Sequence, residues 1–301
     1  MSRTYPGKRS FFKYLAPETA LSVLRSRTIR YSSPLTFNDP FDVQSGLHFD
    51  FDIDALQGKI LDRLEKLAAA TEAPSVDKHN PWGTVVRRVH QLYPTHGFPR
   101  DRWEKKTGFV FDWLVRLIKT EQEKYQKHWW KNLLPGLRIF CISEVRDNLL
   151  MWAHYAKDHT GAVFEFLSLP DKDNELSVAE PVVYVDQPPP LLTEDELLDH
   201  ILSGRELDKD DVGKGYVYTK SKHWQYEREW RVWYPLVPAP GILYEDYPIW
   251  PPEFAAVYIG CRANSAFVSE VVSLTRGGFP ATRIYQARKS ETAFTLEYTE
   301  I

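Results

Sequence analysis

The sequence predicts an α+β fold, with mixed or antiparallel β-sheets and a block of helices inserted between the strands. Three observations carry that expectation. Short runs of aromatic and β-branched residues recur toward both ends of the chain, in the alternating pattern of strands. Between about 51 and 135 the apolar spacing changes to that of amphipathic helices. Apolar residues make up 43% and charged residues 26% of the 301 positions, a composition that supports a packed core rather than disorder. One α+β domain over 1–301, with a helical insert at 51–135, is the expected organisation.

The elements follow in order. Phe11-Phe12-Lys13-Tyr14-Leu15 is a strand. Pro17 stands where a helix begins, since its missing N–H is not needed in the first turn, and Leu21 and Leu24 continue at helical spacing. Thr28-Ile29-Arg30-Tyr31-Ser32 is a second strand, and Phe37-Asn38-Asp39-Pro40-Phe41-Asp42 is a dense turn signal. In the insert, Leu56, Ile60, Leu61, Leu64 and Leu67 form one helical stripe, and Val110, Trp113, Leu114, Leu117 and Ile118 form another. Trp113, Trp129 and Trp130 belong to this block and are expected to pack. Strands are expected again at 137–143, 161–166 and 182–185, with a helix near 148–156 and an acidic amphipathic helix at 191–202. The last third reads as strands at 224–234, 256–259, 283–287 and 294–298, interrupted by a helix at 266–274.

Charge and motif content exclude several function classes. Thirty-eight Lys and Arg stand against 41 Asp and Glu, a formal net charge of -3, which argues against a broadly basic nucleic-acid binder. The two cysteines, Cys141 and Cys261, are too few for a disulfide framework and lack zinc-ligand spacing, so a reducing, cytoplasmic setting is expected. No apolar run approaches a membrane span, so no membrane association is expected. The phosphate-binding, dinucleotide-binding, zinc-protease and nucleophile-elbow motifs are all missing, and no metal site is expected. Aromatic residues reach 14%, a surplus that fits either heavy core packing or a pocket that stacks planar ligands.

Three clusters carry candidate chemistry. The first joins Lys13 and Tyr14 to Arg30, Ser32 and the Asn38–Asp42 turn. Here Arg30 is a candidate anion anchor and Tyr14 a stacking surface, although turn Asn and Asp more often bond their own backbone. The second is Ser143 with Met151-Trp152-Ala153-His154-Tyr155, in which Ser143, His154 and Tyr155 suit a nucleotide pocket while the apolar members suit a core. The third is Trp224-Gln225-Tyr226-Glu227-Arg228-Glu229-Trp230-Arg231. Read as a strand, it sets Glu227, Glu229 and Arg231 on one face, where they are solvated, ion-paired or catalytic.

Taken together and in this order, these clusters resemble the bacterial family catalogued as domain of unknown function 2971, over roughly 12–287. The order of elements is also similar, more weakly, to the ADP-ribosyltransferase superfamily. That similarity implies a cleft between two small antiparallel sheets and NAD as the cofactor, split between ribose and nicotinamide. It implies Glu229 or Glu227 as the catalytic carboxylate, and Lys13, Tyr14, Arg30, Ser32, Ser143, His154, Tyr155 and Arg231 as binding residues. The His or Arg common in the superfamily's first motif is absent from 12–15. A bacterial toxin or anti-phage effector acting on a protein or nucleic-acid acceptor would fit such chemistry. A non-catalytic nucleotide- or protein-binding module and a nuclease or other hydrolase are the alternatives, and the oligomeric state is left open.

Overall fold

The computed structural model describes residues 9–45, 47–77, 79–207, 209–236 and 241–301. The chain divides into two units, Met1–Gln44 with Asn132–Pro188 and Tyr218–Ile301 in one, and Ser45–Lys131 with Pro189–Val217 in the other. The mixed α+β character expected from the sequence is present.

The first unit carries the strands β1 (Arg9–Leu15), β2 (Thr28–Ser32), β3 (Leu137–Ser143), β4 (Ala162–Ser168), β5 (Glu180–Pro181), β6 (Val183–Val185), β7 (Thr219–Ser221), β8 (Glu229–Pro235), β9 (Tyr244–Pro248), β10 (Phe254–Ile259), β11 (Arg283–Lys289) and β12 (Leu296–Glu300). Among the described residues ten of these join a single sheet in the order β12-β11-β10-β4-β1-β3-β2-β9, with β8 on β3 and β5 on β8. The expectation of two small antiparallel sheets is therefore corrected. The sheet is mixed because β10 and β11 run parallel, joined by a crossover helix at Ser265–Gly278. A separate parallel pair, β6 and β7, lies off the sheet.

Alternation along the strands sorts their side chains into two cores. Phe11 and Leu15 of β1, Phe164 and Phe166 of β4, and Val257 and Ile259 of β10 face one side, where they pack with Ala20, Val23, Leu24, Phe267 and Val271 from the helices Pro17–Ser26 and Ser265–Gly278. Tyr14, Val163, Ala256 and Tyr258 face the other side and pack with Met151 and Trp152 of the helix Leu149–His154.

One feature of the pairing opens the sheet. Strand β8 covers β3 from Leu137 to Ser143, so β1 and β2 must share the opposite edge. Each touches it once, β1 through Phe12 against Ser143 and β2 through Ser32 against Ile139. Both then turn away to pair fully with β4 and β9. The Cys141 carbonyl lies between those two points and accepts its hydrogen bond from the Lys13 ammonium, at 2.6 Å.

Two further expectations change. The strand anticipated over 224–234 begins only at Glu229. Ser221 caps a 3-10 segment at Lys222–Glu227 by accepting from the His223 N–H, and Arg228 ends it in the left-handed region at φ 45°. The edge strand β9 was not anticipated, because its Tyr-Glu-Asp-Tyr-Pro sequence is polar and half exposed.

In the second unit the stripe of Leu56, Ile60, Leu61 and Leu64 forms the core, together with Leu197, Leu198 and Leu202 from the helix Glu194–Ser203. The stripe on the long helix Arg100–His128 is rotated from its expected position: Phe111 is buried with Leu114, Val115 and Ile118 beside it, while Trp113 and Leu117 are exposed. Of Trp113, Trp129 and Trp130, only Trp129 is buried.

A tight turn in the first unit aims the helix Leu149–His154. Lys157, Asp158 and His159 are consecutive left-handed residues, at φ 48°, 55° and 64°, a conformation that costs energy without glycine. The amides that follow close the helix end: Asp158 donates to the Ala153 carbonyl, His159 to that of Trp152 and Gly161 to that of Ala156. A Cβ on Gly161 would lie 2.1 Å from the Leu15 carbonyl oxygen, and one on Gly260 would lie 2.1 Å from that of His159. Gly161→Ala and Gly260→Ala are each expected to destabilise the protein by about 1–3 kcal/mol or more, since backbone must move to admit the methyl. Urea unfolding measures this, and wild-type midpoints for both would overturn the account.

Candidate functional site

The open edge of β3 is the floor of a cavity of about 420 Å3, lined entirely from the first unit. Its walls include Lys13, Tyr14, Arg30, Ser32, Asn38, Asp42, Cys141, Ser143, His154, Tyr155, Lys220, Glu227 and Glu229. Alternation on β8 and β3 explains part of this set. Glu229 stands opposite Ser143 and Arg231 opposite Cys141, all on the cavity side, while Trp230, Val232, Phe140 and Ile142 enter the core on the other side.

Four of these wall residues, Asp42, Glu227, Glu229 and Lys220, form with Arg231 beneath them a buried cluster of three carboxylates and two cations. The Lys220 ammonium donates to Glu227 at 2.6 Å and to Glu229 at 2.9 Å, and lies 3.5 Å from Asp42. The Arg231 guanidinium donates to both Glu229 oxygens, at 2.7 and 3.1 Å, and to Asp42 Oδ2 at 2.7 Å. Asp42 Oδ1 is buried and takes no hydrogen bond.

The three carboxylates titrate differently because they share the cations unequally. Glu229 lies between Arg231 and Lys220, whose charges overcome its burial and hold its carboxyl well below the ordinary range. Desolvation dominates at Asp42 and at Glu227 and raises both. Lys220 and Arg231 are pushed up by the carboxylates around them despite burial, so both stay charged.

Glu227 and Glu229 reach the same ammonium because the chain kinks between them. Left-handed Arg228 turns the end of the 3-10 segment inward, and the Ser143 hydroxyl donates to the Glu227 carbonyl at 2.6 Å. Asn148 ties this segment to the helix that follows β3. Its side chain accepts from the Leu150 and Met151 amides as the helix cap and donates to the Tyr226 carbonyl at 2.7 Å. That helix ends on Tyr155, whose hydroxyl donates to Glu227 Oε1 at 2.5 Å and accepts from Asn38 at 3.4 Å.

The candidates named from sequence therefore converge on one cavity, but several of them are committed to structural tasks. Ser143 is buried and holds backbone. Tyr14 is buried edge-on against Trp152 and donates to the Val145 carbonyl, which corrects its expected role as an open stacking surface. Arg30 makes a two-point pair with Asp246 at 2.8 and 2.9 Å and lies over the Tyr244 ring, so as an anion anchor it would have to leave that pair. Arg231 lies under the cavity rather than in its wall. His154 is exposed at the rim, 3.4 Å from the Tyr226 hydroxyl. The partly buried Cys141 thiol is pushed up by desolvation and by Glu229, which keeps it protonated.

Two central members were not singled out from sequence. Lys220 sits in the three-residue β7, and Asp42 was read within the turn as a backbone-bonding residue. Only its neighbour Asp39 does that, accepting from the Phe41 amide. Among the described residues no group of three or more His, Cys, Asp or Glu is placed to hold a metal ion. No described helix is long and apolar enough to cross a membrane.

Residues 151–232 match the family model described as protein of unknown function (DUF2971). The chain is similar to that family over this stretch, which contains His154, Tyr155, Lys220, Glu227, Glu229 and Arg231 but stops short of Lys13 and Asp42, and is narrower than the 12–287 over which the sequence resembles it. No curated protein and no solved structure matches the chain.

Lys220→Met would leave buried carboxylates short of a counter-charge and is expected to cost about 3–5 kcal/mol by urea unfolding, partly recovered by adding Glu227→Gln. The Glu229 carboxyl is depressed in the folded state, so its stabilisation is present above its unfolded value near pH 4 and is lost as pH falls through the folded one. The destabilisation caused by Glu229→Gln should accordingly shrink as the solution is acidified below about pH 4; a constant difference would contradict the pairing.

Proposed function

We propose that this cavity cleaves the bond between ribose and nicotinamide in NAD+ and passes the ADP-ribosyl group to an acceptor, with Glu227 as the catalytic carboxylate. The observation that carries this reading is the placement of Glu227. It lines a cavity of ligand size, is oriented by Lys220 and by the Tyr155 hydroxyl, and has a raised carboxyl. Glu229 is the less suitable of the two glutamates, because Arg231 and Lys220 already neutralise it.

In the reaction the C1′–N bond breaks and its electron pair leaves on nicotinamide, which becomes neutral. Positive charge develops on the ribose, and an ionised Glu227 stabilises it where it appears. The acceptor's oxygen or nitrogen then bonds C1′ and its proton is released to Glu227 or to water. Asn38 and Tyr155 orient the carboxylate, and the acceptor is water, a protein side chain or a nucleic acid.

A second reading, a nucleotide-binding module without catalysis, is favoured by the full pairing of Glu229 and Arg231 and by the packed state of Tyr14. Purified protein incubated with NAD+ and cell lysate should release nicotinamide and label an acceptor, and Glu227→Gln should lower the rate by roughly 100-fold or more. The raised Glu227 carboxyl places the acid limb of the profile above the ordinary carboxylate range, with activity falling as pH drops through it. Absence of nicotinamide release, with NAD+ still raising the thermal midpoint of both wild type and Glu227→Gln, would favour the binding module.

A further inference from the structure

We infer that the cavity selects a dipolar ligand, taking a cationic group against Asp42 and Glu227 and an anionic group at Lys13. The inference deepens the NAD+-cleaving reading and rests on it for the identity of the probes. The buried cluster holds Asp42, Glu227 and Glu229 against Lys220 and Arg231, one negative charge in excess. Its excess is localised. Both Glu229 oxygens are bonded to Arg231, and one of them also to Lys220, whereas Asp42, only 4% exposed and in the cavity wall, keeps Oδ1 without a partner. An unpartnered buried carboxylate oxygen is costly, and a cation in the cavity removes that cost. The raised Asp42 and Glu227 carboxyls agree, since burial outweighs the neighbouring cations at both.

The opposite pole is Lys13. Its ammonium donates to the neutral Cys141 carbonyl and lies 5.3 Å from the centre of the Phe140 ring; among the described residues no carboxylate lies within ion-pair distance of it. Arg30, the other cation of that wall, is occupied by Asp246. Lys13 rises from β1, on one edge of β3, and Glu229 from β8, on the other, so the cationic and acidic groups reach the cavity from different sides of β3. Two poles of opposite sign in one cavity distinguish a ligand that carries both charges from one that carries a single charge.

Isothermal titration with three probes tests this. Nicotinamide mononucleotide carries the cationic ring and a phosphate, nicotinamide riboside keeps the cation alone, and reduced nicotinamide mononucleotide keeps the anion alone. The mononucleotide should bind wild type at least about tenfold more tightly than either other probe, the discrimination expected of one buried charge contact. Lys13→Met should abolish the preference over the riboside and keep the preference over the reduced form. Asp42→Asn, which leaves two carboxylates with two cations, should do the reverse. Equal affinity of wild type for the mononucleotide and either partner probe, or no binding of any, overturns the inference, and that comparison stands even if a variant fails to fold. NAD+ cleavage is scored separately: cleavage without charge selectivity sinks only the dipolar site, and selective binding without cleavage sinks only the catalytic reading.

Discussion

Burying Asp42, Glu227, Glu229, Lys220 and Arg231 together is the constraint around which the first unit is arranged. Each of these charges alone would be costly to remove from water, so none can be buried until the elements that carry the others are in place. The members come from the turn after β2, from β7, from the 3-10 segment and from β8. Their pairing therefore couples parts of the chain far apart in sequence, and it does so beside the stretch of the β3 edge that β1 and β2 leave open.

That opening has its own physical cause. A strand has two hydrogen-bonding edges, and β8 occupies one of those of β3 along its length. The other edge is divided between β1 and β2, which diverge because each is held by a full partner of its own. A lysine side chain, rather than a strand, then satisfies the Cys141 carbonyl. The cavity is thus a consequence of sheet topology, and its polarity follows from alternation, which sends Glu229 and Arg231 to the same side as Cys141 and Ser143.

The aromatic surplus divides between these tasks. Trp152 is fully buried, stacks on His159 and donates to the Arg146 carbonyl, holding the helix that ends on Tyr155. Phe140, Phe164, Phe166 and Phe254 fill the core under the sheet. Tyr155 is the aromatic whose polar end is turned to the cavity's acid, and its hydroxyl is raised by desolvation and by Glu227, so it remains a donor at neutral pH.

Local pattern was enough to locate β1, β2, β3 and β4, the first helical stripe of the second unit, and the glutamates at 227 and 229, because period and side-chain type are properties of neighbouring residues. It was also enough to group Lys13, Tyr155 and Glu227 as members of separate motifs that could meet. It misread 224–227 as strand, since the kink at Arg228 is enforced by the bonds from Ser143 and Asn148 rather than by propensity. It passed over Lys220, a lysine in three residues of strand, and Asp42, one acid in a turn of polar residues, because nothing in their own neighbourhoods marks them. The sequence by itself determined which residue types and periods were available. Only the tertiary structure decided which charges are buried together and which edge of the sheet is left open, because the first needs Asp42 to meet Arg231 and the second needs β3 to pair with β8, segments that are not neighbours in the chain.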